Sequence, residues 1–198
     1  DMDKPTGFDP DFDMLLAELA DAIIEADTSV PEEDTDRRIL ISLRAFRQWA
    51  VEHRAEFAII FGPRTQMTPG VDVSPALEAG RRFGATFFTL FDRLLAEGRF
   101  TLPDRERIPP ELARELRSFA DTIGFSAPHV PLEAILVLSS CWVRLYGVVC
   151  MEIFRHLNFV MEDMEPLFES ELRTVLTDLG FGYQPPEDLA PATNSMSD

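Results

Sequence analysis

Apolar residues recur every three to four positions along most of this chain, which is the spacing that lines one face of an α-helix. Prolines stand just inside the starts of these segments and glycines just past their ends, as helix boundaries favour. The pattern predicts about seven helices, over residues 10–27, 35–53, 55–61, 75–98, 110–124, 131–157 and 163–180. No segment alternates polar and apolar residues as a half-buried strand would, so we expect an all-α fold.

Three stretches lack this periodicity and are predicted to be loops or tail. Residues 63–73 and 99–109 combine proline with polar or charged residues and separate neighbouring helices. Residues 182–198 are rich in Pro, Ser, Asn and Asp, a composition that offers little apolar surface to bury. We therefore expect one helical domain over residues 1–181, followed by a disordered tail over 182–198.

The helix predicted at 131–157 contains WVRLYGVVCMEIFRHL (142–157) and is apolar on more than one side. At 100° per residue its smaller side chains share one sector, which holds Leu136, Ser140, Val143, Gly147, Cys150 and Phe154. A bulkier sector holds Ile135, Trp142, Tyr146, Val149 and Ile153. One apolar sector must face the domain's own core. The other is covered either by another helix of the same chain, as in the centre of a bundle, or by a second copy of the chain.

Two other predicted helices carry aromatic faces. The face of helix 75–98 comprises Phe83, Phe87, Leu90, Phe91 and Leu94, and that of helix 35–53 comprises Ile39, Leu43, Phe46, Trp49 and His53. If both converge on the Trp142 and Tyr146 side of helix 131–157, their rings could line an apolar cavity for a small molecule. The alternative is that the same rings form an ordinary core.

The chain has 198 residues and a net charge of -17. Such a surface repels a phosphate backbone, which argues against nucleic-acid binding by these residues. The longest apolar run, at about 134–143, covers half of a bilayer and is followed by Arg144, so we predict no membrane span. The acidic first residues lack the apolar core of a signal peptide. Cys141 and Cys150 lie about 13 Å apart along one helix, so we expect no disulfide and a cytoplasmic location.

Candidate catalytic and metal-binding groups are sparse. Glu152 and His156 stand four residues apart on a helix and could share a metal, but neither HExxH nor CxxC spacing accompanies them. Nucleophile-elbow, P-loop and dinucleotide-binding motifs do not occur in the sequence. We therefore expect neither an enzyme nor a metal or other cofactor.

Two motifs in this order resemble the C-terminal domain of tetracycline-repressor-like (TetR-family) transcriptional regulators. They are FRQWAVEHRAEFAIIFG (46–62), and WVRLYGVVCMEIFRHL (142–157) followed by EPLFESELRTVLTDLGF (165–181). The subgroup signature W-x-x-L-H-G here reads Trp142, Leu145, Tyr146 and Gly147, with Tyr in place of His. Arg54 follows His53 where the family often has Pro. The resemblance covers about residues 12–181.

The resemblance implies a homodimer in which the last two long helices, about 131–157 and 163–180, pair with their copies. The implied contact residues are Leu136, Ser140, Val143, Gly147 and Phe154 on the first helix, and Leu167, Phe168, Glu171, Leu172 and Val175 on the second. It also implies a small hydrophobic effector. The implied ligand-binding residues are Phe46, Trp49, Phe61, Phe87, Phe91, Trp142 and Tyr146.

In such regulators, which are typically repressors, an N-terminal helix-turn-helix head binds operator DNA and the effector releases it. Only about ten residues precede the first predicted helix, so we expect DNA binding to need a head that this chain does not contain. The alternative function is a helical homodimeric protein-interaction module with no small-molecule ligand.

Overall fold

The computed structural model of the chain describes residues 10–62, 74–123 and 130–186. Within these ranges the regular structure is helical, as expected, and strands are absent. The helices are α1 (Pro10–Thr28), α2 (Thr35–Glu52), α3 (Arg54–Phe61), α4 (Ser74–Glu97), α5 (Pro110–Ile123), α6 (Leu132–Ile153) and α7 (Glu165–Asp178). A short 3₁₀ helix, Arg105–Arg107, interrupts the loop between α4 and α5 and was not predicted. The all-α fold class is therefore confirmed.

Local signals set the helix boundaries. The Asp34 side chain accepts a hydrogen bond of 3.2 Å from the backbone N–H of Arg37, which caps the start of α2. At the end of α7, Gly180 adopts a positive φ of 76° and the N–H of Phe181 reaches back 2.8 Å to the carbonyl of Leu176. This is the Schellman arrangement, in which glycine supplies the left-handed residue.

Helix α6 ends at Ile153, four residues before the predicted end at 157. Arg155 takes a positive φ of 58°, and the N–H of His156 bonds to the carbonyl of Met151 at 2.9 Å. The same type of C-terminal cap therefore closes α6, but with arginine instead of glycine in the left-handed position. The sequence prediction overran because it relied on glycine to mark the end of a helix.

The core lies where α1 packs along α2 and α4, with α6 and α7 closing one side. The fully buried large side chains are Leu19, Ile23, Phe46, Phe57, Leu94, Val149, Phe168, Leu172, Val175 and Leu176. Burial of such a side chain stabilises the fold by roughly 1.5–3 kcal/mol before the loss of conformational entropy is subtracted.

Buried ion pairs join α2 to the last two helices. Arg47 donates two hydrogen bonds to the carboxylate of Glu152, at 2.9 and 2.8 Å, and a third to Glu165 at 3.2 Å. Arg44 forms a two-bonded pair with Glu169 at 2.8 Å. These pairs hold the middle of α2 against the end of α6 and the first half of α7.

The domain extends past the predicted boundary at residue 181. The N–H of Gly182 donates to Asp36 at 2.7 Å, and the hydroxyl of Tyr183 donates to Glu169 at 2.7 Å. The Tyr183 ring also lies under the guanidinium groups of Arg44 and Arg173. Residues 182–186 thus pack on the domain, whereas the rest of the predicted tail lies outside the described residues.

By length and composition alone, α6 could cross a membrane, although we predicted no span because of Arg144. A core helix of a soluble protein passes the same criteria, so this is weak evidence. The more informative number is that only 22% of its most apolar window is buried inside the chain. Much of this apolar helix therefore remains on the surface of a single protomer.

Candidate functional site

Six rings from four helices meet beside the middle of α6, and we call them the aromatic cluster: Phe46, Phe57, Phe61, Phe87, Trp142 and Tyr146. Phe46 is the hub, with ring centroids 5.3 Å from Trp142, 6.1 Å from Phe57 and 6.2 Å from Phe61. Phe87 of α4 lies 6.1 Å from Trp142. These separations fall in the range where aromatic pairs attract beyond their area burial.

The cluster has a buried floor and a partly exposed side. Phe46 and Phe57 are fully buried, whereas Phe61, Trp142 and Tyr146 keep part of their surface accessible. Trp142 and Tyr146 stack at 5.3 Å with an angle of 11° between their planes, and Phe61 meets Tyr146 edge-on at 5.4 Å. A flat apolar molecule could extend this existing stack from the exposed side.

The phenol and thiol groups of α6 next to the Trp142–Tyr146 stack are neutral at physiological pH. Burial, followed by a hydrogen bond to Cys150, raises the pKa of Tyr146, so its hydroxyl stays protonated at physiological pH. Burial also raises the pKa of Cys150. Cys141 lies five residues before Tyr146 on α6. Burial raises its pKa to about 11, which makes this thiol unreactive at neutral pH.

Two of the seven predicted ligand-binding residues make ring contacts with residues outside the six-ring cluster. Trp49 is buried and stacks on His53 at 4.8 Å, and Phe91 is buried against Phe100 at 5.6 Å. Conversely, Phe57 belongs to the cluster and was not predicted. Its place on α3, four residues before Phe61, is the signal that could have found it, because residues at i and i+4 share a helix face. Phe83 lies among side chains outside the described residues.

The small sector of α6 is exposed in its middle and half-buried elsewhere. Val143 is 67% exposed and Ser140 is exposed. Apart from its own helix, no atom of the described residues comes within 4 Å of the position that a Cβ would take at Gly147. Phe154 differs from these residues, because its ring turns inward and lies 6.2 Å from Phe57. Phe154 therefore packs against the aromatic cluster instead of facing outward.

Three of the five residues predicted for a dimer contact on α7 are wrong. Phe168, Leu172 and Val175 are at most 2% exposed and pack in the core of their own chain. The helix is rotated so that Leu167 and Glu171 lie at the edge of its exposed face. Glu171 accepts hydrogen bonds of 3.0 and 2.7 Å from Arg144, which ties this edge of α7 to α6. The sequence prediction failed because α7 carries one apolar face and that face belongs to the domain.

A separate cleft of about 360 Å³ opens between α2 and α7, and Arg44, Arg47, Glu165 and Glu169 contribute to its walls. None of the predicted ligand-binding residues lines it. Its arginines are already paired with its own or neighbouring carboxylates. An incoming charged ligand would have to displace these pairs, so the aromatic cluster is the better candidate for a binding site.

The Glu152 and His156 pair does not form a metal site. Both carboxylate oxygens of Glu152 accept hydrogen bonds from Arg47, and His156 follows the end of α6. Across the described ranges 10–62, 74–123 and 130–186, no group of three His, Cys, Asp or Glu side chains is placed to hold a metal ion.

Comparison with known proteins gives two findings. The sequence model of the family described as "Tetracyclin repressor-like, C-terminal domain" matches residues 39–175, which include most of α2, all of α3 to α6 and most of α7. The chain is also 25% identical over 167 residues to the HTH-type transcriptional regulators Rv1816 of Mycobacterium tuberculosis and Mb1846 of Mycobacterium bovis. That alignment covers 82% of this chain and 68% of each relative.

Proposed function

The chain belongs to the tetracycline-repressor-like transcriptional regulators through their C-terminal domain, and we propose that it senses a small, mostly apolar effector as part of a homodimer. The observation that carries the proposal is the partly exposed Trp142–Tyr146 stack, set on the buried floor of Phe46 and Phe57. DNA binding, which we assign to a helix-turn-helix head, would be weakened when the effector stabilises a released arrangement. The domain itself catalyses no reaction in this proposal, and the protein acts in the cytoplasm.

The effector would act through α6, which touches both the aromatic cluster and the surface offered to a second copy. Trp142 and Tyr146 lie on one side of this helix, and Val143 and Gly147 on another. A shift of the Trp142–Tyr146 stack by a ligand would therefore be transmitted directly to the second side. A rigid helix with two such faces can couple the two events without an intermediate segment.

The dimer surface that we propose combines the exposed parts of both helices. It comprises Ser140, Val143 and Gly147 of α6, with Leu167, Glu171 and Thr174 of α7. Small side chains on α6 permit close approach of its copy across a two-fold axis, and such an interface brings the same patch of both subunits together. Cover of this kind would also remove the exposed apolar surface of α6 from water.

We expect that uncharged apolar compounds will raise the melting temperature of the wild-type chain and will fail to do so for Phe61→Arg. Phe61 is the partly exposed ring in the last turn of α3, so an arginine there can reach water while its side chain crosses the open side of the cluster. A ligand at a hundred times its Kd stabilises the folded state by about 2.7 kcal/mol. Differential scanning fluorimetry of both proteins against a panel of such compounds measures the difference.

Phe119→Arg is the matched control. Phe119 lies on α5, is 41% exposed and has no part in the cluster, so this variant should keep the full shift of the wild type. If no compound shifts the wild type, or if the shift persists in Phe61→Arg, the proposed effector site is wrong. The first of these results would favour a protein-interaction module instead.

A further inference from the structure

Ser42 of α2 carries a buried hydroxyl that satisfies no hydrogen bond among the described residues. The residue is 0% exposed, and its Oγ has no partner. A serine or threonine in a helix commonly donates to the carbonyl four residues earlier. In this chain Ser139, Ser140 and Thr174 do so, at 2.8, 2.8 and 3.0 Å. Ser42 makes no such bond.

The position of Ser42 relates this hydroxyl to the aromatic cluster. It lies one turn before Phe46 on the same side of α2, about 40° away at 100° per residue. Phe46 is the hub that contacts Phe57, Phe61 and Trp142. The unpaired hydroxyl therefore lies in the interior, one helical turn from the residue that forms part of the cluster's buried floor, where a polar group without a partner is costly.

The buried and half-buried arginines of α2 are already paired with carboxylates: Arg38 with Asp27, Arg44 with Glu169, and Arg47 with Glu152. On α3, Arg54 donates to the backbone carbonyl of Glu152 at 3.4 Å. The Tyr146 hydroxyl is engaged with Cys150. Among the described residues, Ser42 thus supplies a fully buried hydroxyl without a partner, while these arginines of α2 are already paired with carboxylates.

We infer that the Ser42 hydroxyl is the polar anchor of the effector site, and that it selects an uncharged aromatic ligand bearing one hydroxyl or carbonyl group. The inference rests on the proposed function, because it assumes that the aromatic cluster receives a ligand. The rings provide the apolar contact with the flat part of the ligand. The serine, which can both donate and accept, satisfies its polar group and is itself satisfied only when the ligand is bound.

Three probes with the same ring system separate these requirements: naphthalene, 2-naphthol and 2-naphthoate. Isothermal titration calorimetry of the full chain at pH 7 should give the tightest binding for 2-naphthol, about fivefold tighter than naphthalene. The ionised 2-naphthoate should bind at least about tenfold more weakly than 2-naphthol, because its carboxylate would be desolvated without a partner. In Ser42→Ala, 2-naphthol should bind no more tightly than naphthalene does, and naphthalene should be unaffected.

Two further measurements make the result decisive. Ser139→Ala removes a hydroxyl that already has a partner, so it should keep the preference for 2-naphthol. Without ligand, Ser42→Ala should melt about 2 °C above the wild type, because it deletes an unpaired buried group, and a lower melting temperature would show that the hydroxyl has a partner.

If none of the probes binds, the effector site of the proposed function fails with this inference. If the probes bind but Ser42→Ala keeps the preference for 2-naphthol, only the role of Ser42 is wrong.

Discussion

Arg47→Met should lower the free energy of unfolding by about 3–5 kcal/mol, because it leaves the buried carboxylate of Glu152 without a counter-ion. The two side chains of this pair are only 10% and 9% exposed. Burial disfavours the charged guanidinium of Arg47, but the hydrogen bonds that it donates to Glu152, with the attraction of the carboxylates, outweigh this and raise its pKa. The guanidinium of Arg47 therefore stays charged at neutral pH, and its removal breaks a link between α2 and α6.

Urea unfolding followed by circular dichroism at one fixed protein concentration measures this loss, since the stability of an oligomer depends on concentration. Arg93→Met is the matched control. Its ion pair with Glu32 is exposed, with side-chain exposures of 31% and 80%, and such pairs contribute less than about 1 kcal/mol. The double change Arg47→Met with Glu152→Leu should recover much of the loss, because no unpaired charge remains buried: Glu165, the other partner of Arg47, is 37% exposed and can be hydrated. An Arg47→Met chain that unfolds within about 1 kcal/mol of the wild type would show that this pair is not a structural link.

Gly180→Ala should cost about 3 kcal/mol or more, for two separate reasons. Gly180 has a φ of 76°, which a residue with a Cβ adopts only with strain. In addition, a methyl group there would overlap the carbonyl oxygen of Arg99, a backbone atom that cannot turn aside. The side chain of Arg99 also donates hydrogen bonds to Asp36 and holds the pKa of that carboxyl below its usual range. A displacement of the backbone at Gly180 would therefore disturb the contact between α2, the segment after α4 and the end of α7.

Gly98→Ala isolates the first of these two reasons. Gly98 also has a positive φ, 63°, but no atom of the described residues lies within 4 Å of an added Cβ. This control should cost only about 1–2 kcal/mol, from the backbone conformation alone. Thermal unfolding of the two variants beside the wild type gives the comparison. Equal losses in the two would contradict the close approach of Arg99 to Gly180.

The helices could be predicted well from the sequence because proline, glycine and apolar spacing are local signals. The starts at Pro10, Thr35 and Pro110 all agree with the structure. The error at the end of α6 has a local cause as well, since Arg155 occupies a left-handed position that sequence patterns assign to glycine or asparagine. The contacts of residues 182–186 could not be predicted, because they depend on Asp36 and Glu169, which are far away along the chain.

The candidate site could be predicted only in outline. Apolar spacing shows which residues face inward, but it does not tell which helix each face meets. Phe46, Phe61, Phe87, Trp142 and Tyr146 come together as expected, while Trp49 stacks on His53 and Phe91 packs against Phe100, two contacts that the spacing does not predict. The same limit explains α7, where residues assigned to a second subunit lie in the protomer's own core. Ser42 has no sequence signal at all, because an unpaired hydroxyl is visible only in three dimensions.

Helix α6 has two partners in the proposed arrangement, its own aromatic cluster and a second copy of the chain. Sedimentation equilibrium of the wild type and of Gly147→Arg tests this most directly, because an arginine at Gly147 meets no described residue of its own protomer but would stand in the proposed interface. Ser118→Arg, at an exposed position of α5, is the control. We predict about twice the 22.4 kDa of one chain for the wild type and the control, and 22.4 kDa with unchanged helical content for Gly147→Arg. A monomeric wild type, or a Gly147→Arg variant that remains a dimer, would contradict the account.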